Sequence, residues 1–293
     1  MKEIIKESKI NFNIQTIKWG DDGSEKQSSS VVASITGVIF TMLIYMFIMI
    51  YGAMVMQGVM EEKTNRIIEI MISSVKPFDL MMGKIIGIGF VGLTQVFLWA
   101  VMTFILITGG TFFLGGGMES EILQSSMALN TTPNMTAIAA QQHGNEWIEM
   151  LHTINFTEIG ILFIAYFIGG YLLYSSLFAA IGSAVDGQED TQQFMLPVTL
   201  LLVFALYAGI YSMENPDGPL AFWCSMIPFT SPIVMMVRVP FEVPLWEILL
   251  SIGFLYISSI GFTWFSAKIY RVGILMYGKK PSIKEMSKWL RYK

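Results

Sequence analysis

The sequence predicts an all-α, polytopic membrane helix bundle, and three observations carry that prediction. Hydrophobic residues make up 54% of the 293 positions and charged residues only 14%, where soluble domains carry about a quarter charged. Five charge-free apolar runs reach about 20 residues, enough to lift a helix through about 30 Å of hydrocarbon at roughly 1.5 Å per residue. None of the five has a charged side chain at its centre.

Taken in order, residues 1–30 form an external tail in which Ile10, Phe12 and Ile14, followed by Thr16 and Ile17, alternate like a strand. Thirty residues alone cannot build a sheet for it, so the tail reads as the remnant of an external domain. The first span is expected at 31–60, between Lys26 and Glu61, and the second at 85–110, after Lys84. The third falls at 159–185, the fourth at 194–213 with Pro197 near its start, and the fifth at 248–267. Gly83, Gly87 and Gly92 in the second span, with Gly169 and Gly170 in the third, would let helices of one subunit approach closely. The apolar stretch 218–237 is interrupted by Pro219, Pro228 and Pro232, each of which removes an amide donor. Two readings stand for it: a re-entrant hairpin of two half-helices shielded by protein, or an interfacial loop anchored by Phe222, Trp223, Phe229 and Trp246.

Lysine and arginine sort the connections into two groups. Lys63, Arg66, Lys76 and Lys84 in the first connection fall on the same side as the basic tail 279–293, together with Lys268 and Arg271. On the other side, 117–158 has no basic residue and carries Glu119, Glu121, Glu146, Glu149 and Glu158, while 214–247 has only Arg238. Positive charge marks the cytoplasmic side, so the C-terminus is expected inside and the N-terminus outside. Lys2, Lys6, Lys9, Lys18 and Lys26 would then have to cross with no signal peptide. A longer protein with one further N-terminal span and an external domain, of which this chain is a shortened form, accounts for that.

Several chemistries are disfavoured. One cysteine and two histidines, His143 and His152, give no metal cage, and a net charge of −4 does not suit nucleic acid. The sequons at Asn130, Asn134 and Asn155 read as chance in a polar loop. No His-Glu-x-x-His or Gly-x-Ser-x-Gly occurs. The run 273–279 has phosphate-loop glycine and lysine spacing, but Lys280 stands where Ser or Thr should reach Mg²⁺. Neutral polar groups within spans, such as Thr94, Gln95, Thr199, Ser258 and Ser259, suit helix–helix bonding better than ion coupling.

The segment 60–77 separates on a helical wheel. Met60, Thr64, Ile67, Ile68, Met71, Ile72 and Val75 share one arc, while Glu61, Glu62, Asn65, Arg66, Glu69 and Ser73 share the other, and Pro77 ends the run. Such a cytoplasmic amphipathic helix suits a protein partner better than anionic lipid, because glutamate dominates its polar face.

This run, from Glu61-Glu62-Lys63 through Arg66, Glu69-Ile70 and Ser73-Ser74, with Lys84 heading the next span, resembles the coupling segment of ABC-2 type transporter permeases, particularly the sodium-efflux-like branch. Residues 186–193 before Pro197, and Pro228-Phe229-Thr230-Ser231-Pro232 with Arg238, extend the resemblance over about 31–278. It implies a transport subunit of the bacterial inner membrane that is not itself an enzyme and exports cargo with the help of separate ATPase subunits. ATP and Mg²⁺ would be bound there, with no cofactor on this chain. It also implies a second permease subunit, in a homodimer or heterodimer, within the lipid bilayer and without nucleic acid. Glu61, Glu62, Lys63, Arg66, Ile67, Glu69 and Met71 would couple to the ATPase, and Pro228, Pro232 and Arg238 would form an external gate. The alternatives are a secondary transporter or a non-catalytic membrane scaffold. The family's six spans and large external domain exceed what this chain holds.

Overall fold

The structure, a computed structural model, describes residues 18–19, 25–26, 30–65, 67, 74–110, 155–185 and 187–276. The strand-like run 10–17, Arg66, Glu69, Met71, both histidines and the tail 279–293 lie outside them. The first described element is a two-residue antiparallel ladder, β1 (Lys18–Trp19) against β2 (Glu25–Lys26). All the other regular elements among the described residues are helical.

Five helices are long and apolar enough to cross a membrane: α1 (Ser30–Thr64), α2 (Pro77–Gly110), α3 (Phe156–Ala184), α4 (Gln188–Glu214) and α7 (Leu245–Gly273). Between α4 and α7 lie two short helices, α5 (Pro219–Met226) and α6 (Ser231–Arg238), and one 3₁₀ turn, Val239–Phe241. The expected five spans are therefore present, with some ends displaced. Pro77 is the first residue of α2 and does not lie outside that span. A proline at the first helical position gives up an amide that has no partner there anyway, and Asp79 in the same turn faces the positive end of the helix dipole. The return span thus begins well before Gly83 and Lys84. Pro197 likewise does not open α4 but lies within it, where it leaves the Gln193 carbonyl without the amide that a regular helix supplies.

Helix α3 is the centre of the bundle, packed between α1 and α7 along most of its length. Its aromatic side runs through Phe163, Phe167 and Tyr171, and rings from α1 stack into that row, with Phe47 edge-on to Phe167 and parallel to Tyr51. A continuous helix bonds its backbone groups internally except at its ends, so specificity comes from close side-chain packing. Gly169 and Gly170 face Leu255 and Pro232, and Gly92 faces Tyr51 and Phe167, as close packing within a subunit requires. Gly83 and Gly87 meet nothing within 4 Å, so the expectation fails for those two. They lie on the outward side of α2, the helix with the most exposed apolar surface.

Gly182 makes the closest approach to backbone among the described residues. A Cβ there would lie 2.6 Å from the Met56 carbonyl oxygen, a backbone atom with no freedom to rotate away. Gly182→Ala is expected to destabilise the bundle by about 1–3 kcal/mol despite alanine's better helix propensity, whereas Gly83→Ala should be neutral or slightly stabilising. Thermal unfolding of both variants in mild detergent checks this.

Candidate functional site

Two clusters of charged side chains lie at opposite ends of the bundle. The first forms where α1 ends. Met60 to Thr64 continue α1 rather than starting a separate helix, so the residues expected to couple to a partner divide by helical face. Lys63 points inward, 1% exposed, and donates to the Ser183 carbonyl at 2.8 Å. Ser183 lies in the last turn of α3, where carbonyls have no intrahelical partner and the dipole favours a cation, so a lysine from a neighbouring helix caps that end. Lys63 is thus turned toward α3, unlike the exposed Glu61. The neighbouring Gly273 of α7 brings its backbone against the same serine.

Glu62 is half-buried and pairs with Lys84 of α2 at 2.7 Å. Lys84 also packs its stem along Gly58. Glu61 and Asn65 are exposed, and so are Ile67, Val75 and Phe78. The connection between α1 and α2 is thus fixed at one end to α3 through Lys63. It is fixed to its own return helix through Glu62, and it displays carboxylate and apolar groups outward.

The second cluster is the broken hairpin, and its local causes are readable residue by residue. Gly218 takes extended backbone before Pro219, which starts α5. Pro228 forces the residue before it, Ile227, into extended backbone (φ −70°, ψ 122°), ending α5. Pro232 sits in the first turn of α6, where its missing amide costs nothing. Hydroxyls bond to hairpin carbonyls, some of them freed by these breaks. Thr230 donates to the Cys224 carbonyl, Tyr174 of α3 to that of Phe229, and Thr41 of α1 to that of Ile233 at 3.0 Å. All eight residues of α6 are buried. Its start reaches Gly170 and Ile48, near the middle of α1, while Val237 lies against Gly37. Residues 218–237 thus hold two short helices, the second wholly covered by protein, as the hairpin reading expects.

Arg238 ends α6 and is 1% exposed. Its Nε donates to the Pro216 carbonyl beyond α4 at 2.7 Å, and one terminal nitrogen donates to Ser225 Oγ in α5 at 2.6 Å. The other pairs with Glu247 Oε2 in the first turn of α7 at 2.8 Å. Ser251 of α7 donates to the Ser225 carbonyl at 2.6 Å. One guanidinium therefore joins four segments of chain, using the planar fork that lysine lacks. Sequence reasoning named Pro228, Pro232 and Arg238 but missed Ser225, Glu247 and Ser251. Arg238 is the one basic residue of 214–247, with Glu242 and Glu247 both within ten residues after it, and that signal could have narrowed its partner to two candidates. Among the described residues no group of three or more His, Cys, Asp or Glu could hold a metal.

A family model described as "ABC-2 family transporter protein" matches residues 1–268. Uncharacterized protein YhaP of Bacillus subtilis (strain 168) is 31% identical over 285 residues, covering 96% of this chain and 60% of that protein. Uncharacterized protein MJ1024 of Methanocaldococcus jannaschii is 25% identical over 278 residues, covering 94% of this chain and 58% of that protein. The chain thus spans about three-fifths of the length of these curated relatives. No solved structure matches it.

Proposed function

This multi-pass membrane protein belongs to the ABC-2 transporter family, and on that premise we propose that it is the permease subunit of an exporter in the bacterial inner membrane, driven by ATP hydrolysis on separate ATPase subunits. ATP and Mg²⁺ belong to the partner and none of the chemistry to this chain. One observation carries the coupling assignment. The α1–α2 connection is held to the bundle by Lys63 and Glu62 while Glu61, Ile67, Val75 and Phe78 are turned outward. A segment anchored at its base and apolar on its free side can both dock and transmit displacement, and its rim carboxylate favours a basic surface on the ATPase. Arg66, Glu69 and Met71 belong to the same proposal on their sequence positions alone. The α1–α2 connection then faces the cytoplasm and the hairpin lies at the outer end as its closure, with Pro228 and Pro232 setting the break.

We also assign a second permease subunit, identical or closely related. The space between α1, α3 and α7 is filled by aromatic and aliphatic side chains, so a route for cargo falls between two bundles. The exposed stripe Ile39, Met42, Met46 and Ile50 on α1 is the face proposed for that contact.

Three measurements check these assignments. Glu61→Lys combined with Ile67→Asp should lower ATPase co-purification at least tenfold without changing thermal stability, since both side chains are exposed; undiminished co-purification overturns the docking role. In a Cys224→Ala background, Ala140→Cys should react with an impermeant maleimide on intact cells and Glu285→Cys only after permeabilisation, and the reverse pattern overturns the orientation. Met46→Cys in the same background should give a cross-linked dimer with a short bifunctional thiol reagent. A purely monomeric product together with a monomeric mass in mild detergent would exclude the second subunit on this face.

A further inference from the structure

The two arms of the hairpin are held by different forces. Helix α6 is buried at every residue, wrapped by α1, α3 and α4, and its removal would expose Ile233, Val234, Met235, Met236 and Val237 together. Helix α5 buries only Ala221, Cys224, Ser225 and Met226, three of them small, while Leu220, Trp223 and Ile227 are exposed, Trp223 by 65%. Its apolar seat is shallow: Cys224 rests on Ala208 of α4 and Val234 of α6. The polar bonds converge instead on Ser225, whose hydroxyl receives Arg238 and whose carbonyl receives Ser251.

We propose that α5 is a hinged flap on the fixed wedge α6, and that Glu247 and Ser225 are positioning residues that latch it closed through Arg238. Gly218 and Pro228 bound the flap, one on each side of the rigid eight-residue helix. Arg238 stays with α6, because a guanidinium leaving its carboxylate inside a bundle is left as an uncompensated buried charge. Ser225 is the neutral member of the cluster and the contact that can part and re-form at low cost. Glu247 keeps the guanidinium aimed at it. This rests on reading the hairpin as the outer closure of the permease, and it names the element of that closure that moves.

Cys224, the chain's one cysteine, lies on the buried face of the flap itself, against Ala208 and Val234, and reports its opening. The test is the rate at which N-ethylmaleimide, which crosses membranes, modifies Cys224 in the full chain in membrane vesicles. Ser225→Ala should accelerate modification at least threefold, and Glu247→Gln at least tenfold. Gly182→Ala, a destabilising change at the far end, should leave the rate within twofold of the wild type. Equal rates for Ser225→Ala and the wild type overturn the latch, as does an equal acceleration by Gly182→Ala, which would mark general loosening. Should Glu247→Gln fail to fold, Ser225→Ala alone decides. The readout requires neither ATPase nor cargo, so a negative result removes the latch and leaves the permease assignment standing, whereas lost ATPase association would do the reverse.

Discussion

A backbone amide or carbonyl inside hydrocarbon has no water to bond, and each one left unpaired costs several kcal/mol. Continuous helices meet that constraint automatically, whereas the hairpin between α4 and α7 does not, because three prolines break it. The bundle around it is organised to supply what the breaks remove. Thr41 on α1, Tyr174 on α3 and Ser251 on α7 each direct a hydroxyl at a hairpin carbonyl. These residues sit on three different long helices, so the hairpin's polar needs fix how those helices are rotated about their axes. Gly37 and Gly170 then allow the approach at which the hydroxyls can reach.

At the opposite end the same requirement has a different solution. The end of α3 leaves carbonyls without partners, and the bundle brings a lysine to one of them from α1. Burying Lys63 costs desolvation, which the carbonyl bond and the helix dipole offset in part. The gain is mechanical, since α1 and α3 are joined where the α1–α2 connection departs, and Glu62 with Lys84 adds α2 to the same junction. A push on that segment therefore reaches three spans, and through Gly273 a fourth.

How much of this was legible in the sequence follows from which signals are local. The spans were legible because hydrophobic length is a one-dimensional property, and the proline pattern of the hairpin because it is spelled in four successive turns. Helix ends were less so. Lys84 reads as the residue before the second span, yet charges in the first turns of α2 are accommodated, Lys84 through its partner on α1. The direction of Lys63 was not legible, since it depends on the end of α3, 120 residues away along the chain. The partner of Arg238 was written in plain view at Glu247, but a lone glutamate after Pro244 reads equally well as a helix-start residue until the fold sets it 2.8 Å from the guanidinium.

The Arg238–Glu247 pair also constrains how the sequence can diverge. Removing either partner alone leaves a buried charge, a loss of about 3–5 kcal/mol, comparable to much of the stability of an ordinary domain. Replacing both by apolar residues of similar volume can be neutral. The two positions therefore evolve as a single character: lineages either retain both charges or exchange both, and intermediates carrying one survive only where a compensating change is already present. Ser225, being uncharged, is free of that bond and can drift alone, so the fastening of α5 can be retuned while the wedge beneath it stays fixed.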